Sequence, residues 1–235
     1  MKSNTLQKIK IKGLFRYIFM RLILRFLPDK ILRANKYISF KGSNILLNIN
    51  DLEQKYLAAD LVREPENLII YKAIAKNNIA DTFIDIGANC GHVSLSILDD
   101  YKKIILFEPN PKLFCILTEL FDKCKHTKLH QCAIVQDNSV GFVNLQVPKS
   151  SSGLATLGDF LVKDNLDFDS YKVKASPIEN KINKKYLYNA YIKIDVEGLE
   201  KKILISMIPI LKTCRPIVGF EALSKHHAKD CISIF

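Results

Sequence analysis

Apolar and polar positions change rhythm along this chain, and the changes divide it. Residues 14–27, LFRYIFMRLILRFL, are almost continuously apolar up to Pro28. Arg16, Arg21 and Arg25 interrupt the run of about 20 apolar residues that a bilayer-spanning helix needs. On a helical wheel Arg21 and Arg25 share one side, while Arg16 falls inside the apolar arc. Two readings follow: a basic helix lying on an anionic membrane surface, or a helix packed on the domain with its arginine stems snorkelling. Residues 37–50 read as a β-hairpin around a glycine-containing turn. Asn50 or Asp51 then caps a short helix to about residue 62, and Pro65 opens another carrying Leu68, Ile69 and Ile70.

From residue 81 the pattern alternates between periods. Short β-type runs at 82–86 (TFIDI), 103–107 (KIILF), 191–195 (YIKID) and 216–220 (PIVGF) flank helical stretches. The first helix is expected over 91–100. The second carries the stripe Leu113, Ile116, Leu117, Leu120 and Phe121. A third runs from Gly198 to Ile208 and stops at Pro209. A strand is expected over about 128–135 and an antiparallel one over 141–147. This alternation predicts a mostly parallel sheet with helices on both faces, whose ligands bind at the carboxyl ends of the strands. Residues 148–189 are too long and polar for a simple connection. They read as an inserted hairpin plus a mobile loop over the active site, starting at KSSSG (149–153). The chain thus divides into a basic N-terminal segment, 1–41, and one α/β domain, 42–235.

Charge sharpens that division. Of the net +11, almost all lies in residues 1–41, which hold eleven basic residues against Asp29 alone; the remaining 24 basic and 23 acidic residues nearly cancel. A nearly neutral body gives no basic footprint for nucleic acid, so no nucleic-acid partner is expected. The six cysteines contain no CxxC pair, which removes the usual redox and zinc signatures. With no cleavable signal peptide read at the N-terminus, free buried thiols in a reducing compartment are expected. The localisation expected is cytoplasmic, with peripheral contact at the inner face of the membrane through residues 1–41.

The candidate chemistry sits at strand tips. Asp85-Ile86-Gly87-Ala88-Asn89-Cys90-Gly91 closes one strand and opens a helix. A dinucleotide fingerprint spaces its glycines differently. Here Gly87 and Gly91 are four apart with Asn89 between, a spacing that fits the D/E-x-G-x-G-x-G loop of S-adenosylmethionine enzymes. Glu108 ends the next strand, where a carboxylate can accept hydrogen bonds from two ribose hydroxyls. Lys193, Asp195 and Glu197 interrupt an otherwise buried run at a later strand tip, where charges are costly unless used or paired. Glu197 and Glu200 also suit a helix N-terminus. Pro216–Glu221 is a further strand ending in a carboxylate. Asp195 is the best-placed base, with His92 a second candidate. No metal is expected from ligand spacing, although Asp195, Glu197 and Glu221 could converge on a hard cation.

Together, FIDIGANCGHVS (83–94), FEPNP (107–111), HQCAIVQD (130–137), IKIDVEGLEKKIL (192–204) and RPIVGFE (215–221) resemble the FkbM family of S-adenosylmethionine-dependent methyltransferases. The resemblance covers about residues 45–222. It implies a seven-stranded Rossmann-like sheet and O-methylation of a hydroxyl on a sugar, glycan or polyketide-like small molecule. By position, it implies that Asp85, Gly87, Asn89 and Gly91 hold the methionine end of the cofactor, Glu108 the ribose and Gln131 the adenine edge. Asp195 and Glu197 would face the acceptor. Gln131 stands where such proteins often have Asn. Only residues 222–235 follow Glu221, room for a helix but not for the last strand pair. The expectation is therefore a sheet lacking that pair, low stability, a tendency to dimerise or aggregate through the open edge at Pro216–Phe220, and weak or absent methyl transfer. The alternative reading is a truncated, inactive relative acting only as a binding module or relic.

Overall fold

The computed structural model describes residues 36–40, 43–48, 51–58, 65–136, 141–149, 152–157 and 167–235. The helix expected over 14–27, and with it the membrane reading, lies outside the described residues. In chain order the elements are β1 (Lys36–Phe40), β2 (Ser43–Leu47), α1 (Leu52–Ala58), α2 (Pro65–Lys76), β3 (Thr82–Ile86), α3 (His92–Ser96), β4 (Lys103–Phe107), α4 (Pro111–Phe121) and β5 (Thr127–His130). There follow β6 (Ala133–Ile134), β7 (Phe142–Pro148), β8 (Thr156–Leu157), β9 (Phe168–Ser176), β10 (Ala190–Ile194), α5 (Glu200–Ser206), α6 (Ile208–Cys214), β11 (Ile217–Phe220) and α7 (Lys225–Ile232).

Five parallel strands form the central sheet, in the order β11-β10-β3-β4-β5. Period-two alternation sends their side chains to two cores. Phe83, Ile104, Leu106 and Tyr191 face one core, with Tyr71 of α2 and Leu113, Leu117 and Leu120 of α4. Ile84, Ile86, Ile105, Phe107, Ile192 and Ile194 face the other, with Ile203, Leu204 and Ile210 of α5 and α6. Each fully buried aliphatic side chain contributes roughly 1.5–3 kcal/mol, so the doubly covered sheet is the main source of stability. The β1–β2 hairpin packs Ile45 and Leu47 into the first core. It rests on α4 and leaves β11 at the sheet edge.

Four expectations change. The single strand over 128–135 is two: β5 ends at His130, the chain turns out at Gln131, and β6 joins a second sheet, β6-β9-β7-β8. The expected insertion at 148–189 supplies β8 and β9 of that sheet. Helix 91–100 shortens to α3, because Gly91 at φ +83° cannot continue a right-handed helix backwards and Ile97 leaves it. The helix expected to stop at Pro209 instead breaks at Met207, and Pro209 sits in the first turn of α6, where a missing N–H costs nothing. Among the described residues no helix is long and apolar enough to cross a membrane. All six cysteines are free, five of them buried and Cys115 exposed.

Candidate active site

The carboxyl ends of β3, β4 and β10 meet at one point. Gly87 follows β3 at φ +82°, and a Cβ there would run into the carbonyl oxygen of Asp195. Both the left-handed backbone and this close approach require glycine. The Gly87 and Ala88 amides donate to the Phe107 carbonyl, each at 3.0 Å. Asn89 is also left-handed, at φ 53°. Its Oδ1 accepts from the Cys90 amide at 2.7 Å, the local bond that lets Asn tolerate this region.

Glu108 follows β4 and organises the loop. Its Oε2 accepts from the Asn89 amide and its Oε1 from the Asn110 amide, both at 2.8 Å. Burial pushes this carboxyl up to about 7, against the downward pull of the two amides. Beside it, the His130 ring stacks on Phe107 with centroids 4.7 Å apart.

Parallel register places Lys193 of β10 directly opposite Asp85 of β3. The Lys193 Nζ lies 3.3 Å from Asp85 Oδ1 and 3.0 Å from Asp195 Oδ2. The contact with Asp85 Oδ1 is close enough for an ion pair but not aligned as a hydrogen bond. Asp85 is 1% exposed, and its Oδ2 accepts from Ser94 Oγ at 2.7 Å. Burial alone would lower the ammonium, but the two carboxylates overcome it and hold Lys193 well above the usual lysine range.

The loop after β10 needs two left-handed residues, Glu197 at φ 53° and Gly198 at φ 99°. Glu200, wholly buried, fixes it by accepting from the Val196 amide (Oε1, 3.0 Å) and the Gly198 amide (Oε2, 3.0 Å). His227 Nε2 of α7 lies 3.5 Å from Glu200 Oε2, and Lys201 Nζ is 2.8 Å from Asp230 Oδ2. The helix α7 therefore braces this loop. Carboxylate oxygens of Asp195, Glu197 and Glu221 come within 4.8 Å of one another.

These tips wall a cavity. Gly87, Asn89, Glu108, Asp195 and Glu197 line it, together with His92, Lys193 and Glu221. Three other residues named from the sequence do not. Asp85 lies behind Lys193 and acts through it. Gly91 faces the helix layer, where a Cβ would sit 2.6 Å from Leu117 Cδ2 and 2.8 Å from Phe121 Cε2. Gln131 is exposed at the turn between β5 and β6, and the next residues, Cys132, Ala133 and Ile134, reach the wall instead. The Ser152–Gly153 turn, part of the segment expected over the site, closes another side together with Glu53, which the sequence reading missed. A partial signal was present: Asp51 is read as a cap, and it does accept from the Gln54 amide at 3.1 Å.

Residues 85–232 match the family model of the methyltransferase FkbM domain. No curated protein matches the chain. Among solved structures it is similar to methyltransferase FkbM from Methylobacillus flagellatus KT, at 14% identity and a TM-score of 0.45, over 66% of this chain and 36% of that one. It is also similar to precorrin-6y C5,15-methyltransferase from Geobacter metallireducens GS-15, at 11% identity and a TM-score of 0.38, over 70% of this chain and 67% of that one. The chain thus spans little more than a third of the length of the first of these proteins. With its matched region running from the tip of β3 through α7, well over half of its length, the chain belongs to the FkbM methyltransferase domain family.

Proposed function

We propose that this chain is an S-adenosylmethionine-dependent O-methyltransferase acting on a hydroxyl of a sugar, glycan or polyketide-like small molecule. The observation that carries the cofactor is charge. Glu53, Glu108, Asp195, Glu197 and Glu221 line the cavity, while Lys193 is the only lysine or arginine on its wall among the described residues. Lys193 is itself engaged with Asp85 and Asp195. Such a wall suits a cationic ligand and repels the phosphates of a dinucleotide.

The donor set fits the cofactor's other half as well. A carboxylate has about four acceptor positions. Glu108 uses one on each oxygen for a loop amide, which leaves acceptor capacity for two vicinal ribose hydroxyls. Gly87 and Asn89 would carry the methionine end. The bound cofactor supplies a methyl on a positively charged sulfur and a neutral thioether leaving group. The protein's task is then mainly in-line placement. Lys193 fixes the Asp195 carboxylate, which accepts the acceptor's hydrogen bond and takes its proton as the new C–O bond forms. Glu197 and Glu221 complete that side.

A second cavity shares Ile134, Leu157 and Leu199 with the first and adds Gln136, Asn144, Gln146 and Ser170. Amide and hydroxyl side chains over an apolar floor support a polyhydroxylated acceptor. A peripheral membrane contact through residues 1–41 and a homodimer through the outer edge of β11 accompany this proposal. Calorimetry with S-adenosylmethionine and NAD, followed by transfer of labelled methyl to a panel of glycosides and polyketide alcohols, tests it. The expected result is binding of the first cofactor only, and label on an acceptor oxygen. Preference for NAD would sink the cofactor reading. Binding without transfer to any hydroxylated acceptor would favour a binding module.

A further inference from the structure

The geometry points to Glu53 as a cofactor-binding residue that receives the α-ammonium group of the methionine moiety, delivered from a helix outside the family-matched region. This inference rests on the S-adenosylmethionine reading above. Glu53 belongs to α1, more than twenty residues before Asp85, yet its side chain is on the cavity wall and only 8% exposed.

Two contacts put it there. Cys90 Sγ of the glycine loop lies 3.7 Å from the Glu53 carbonyl oxygen, which seats α1 against the loop one residue beyond Asn89. On the other side, Gly153 presses on the carboxylate: a Cβ at that position would sit 2.9 Å from Glu53 Oε1 and 3.0 Å from Cγ. The turn is held in place by Asp51, which is buried and accepts from the Ser152 amide (Oδ2, 2.7 Å) and the Ser152 hydroxyl (Oδ1, 3.0 Å), across 101 residues of sequence. Gln54 ties the same helix back to the hairpin by accepting from the Asn48 amide at 2.9 Å. Glu53 thus has its backbone seated on the cofactor loop and its carboxylate set against a turn.

The chemistry selects the ammonium over the sulfonium. A carboxylate accepts hydrogen bonds and donates none. The α-ammonium offers three N–H donors, whereas the sulfonium offers none, and its methyl must point to Asp195 and the acceptor. Cys90, buried beside Glu53, is held well above the usual thiol range by burial and then by the Glu53 and Asp51 charges. It contributes packing to the site.

The test measures binding by calorimetry for the full chain and its Glu53→Gln variant with three probes: S-adenosylmethionine, S-adenosylhomocysteine and 5′-methylthioadenosine. The second lacks the sulfonium but keeps the ammonium; the third lacks both. Glu53→Gln keeps the side-chain shape, and a melting curve checks that it folds. The expected result is a loss of about tenfold or more for the first two probes alike, as for a charged hydrogen bond, with methylthioadenosine within about twofold. An equal loss for all three would make Glu53 a structural residue and overturn the inference. A loss confined to S-adenosylmethionine would assign it to the sulfonium and overturn it too. A wild-type chain that binds none of the three would overturn the cofactor reading itself. Asp51→Asn supplies the second variant: by loosening the turn it should weaken the first two probes more than the third, and an unchanged affinity for all three would remove the turn from the argument.

Discussion

The cavity has two walls of different construction. On one, Gly87, Glu108, Lys193 and Asp195 stand at the tips of adjacent parallel strands, and backbone register decides who meets whom. On the other, Glu53 and Gly153 come from segments about a hundred residues apart, joined through the Asp51–Ser152 pair. A strand-tip wall is as rigid as the sheet beneath it. A wall held by a few side-chain hydrogen bonds can loosen without disturbing the sheet, because local opening draws on the least stable contacts first. Binding sites often combine the two, with a fixed scaffold to orient a ligand and a separable cover to admit it.

The largest expected effect breaks the rigid wall. Lys193→Met leaves Asp85, which is 1% exposed, beside an apolar side chain. Removing one partner of a buried ion pair costs about 3–5 kcal/mol. For a chain of this size each kcal/mol lowers the melting midpoint by roughly 2–4 °C. Thermal melting should therefore show a fall of about 10 °C. A loss below about 1 kcal/mol would mean that the sheet tips hold without this cation.

A smaller effect is expected at the other wall. Asp51→Ala removes the acceptor for the Ser152 amide, the Ser152 hydroxyl and the Gln54 amide. Leaving such groups unsatisfied costs about 1–3 kcal/mol. Hydrogen exchange should quicken across 152–157 while β3, β4 and β10 keep their protection. If the strands loosen equally, the two walls are one unit and the contrast fails.

The smallest effect is a pH dependence at the strand-tip wall. Burial raises the Glu108 carboxyl from its ordinary 4.5 to about 7, so folding favours its protonated form. Its contribution to stability is full below about pH 4.5 and is lost as pH rises through about 7. On the cofactor reading proposed above, ligand affinity runs the other way, because ribose hydroxyls would donate to the ionised carboxylate. Affinity for S-adenosylhomocysteine should rise several-fold, at most about tenfold per pH unit, between pH 6 and 8. Glu108→Gln should flatten that profile while lowering affinity throughout. A wild-type profile already flat over this range would show that Glu108 stays ionised without ligand.

How much of this was legible in the residues depends on the distance over which each signal acts. The β3 loop could be read because its constraints are local: Gly87 and Asn89 need left-handed backbone, and Glu108 ends an apolar run. The same local pattern put Gly91 in the loop's site, whereas it lies against the helix layer. Glycine spacing reports that a side chain is excluded, but not by what, and here the excluding atoms belong to Leu117 and Phe121. Gln131 lies off the cavity wall for a related reason. The strand expected over 128–135 gave no sign that the chain changes sheets after His130. For Glu200 the sequence offered a helix N-terminus; the fold uses both its oxygens to hold the Val196 and Gly198 amides.

By itself, then, the sequence determined the mostly parallel α/β architecture and the left-handed turns and charges that stand at its strand ends. Period-two and period-3.6 patterns, left-handed turns and charges at strand ends are all properties of a few consecutive residues. Only the tertiary structure decided that Lys193 lies between Asp85 and Asp195, and that Glu53 and Gly153 share a wall with Glu108. The first depends on the register between β10 and β3. The second depends on packing between α1 and a turn 101 residues away. Pairings of that kind follow from the burial of many side chains at once, and no local stretch of the chain encodes them.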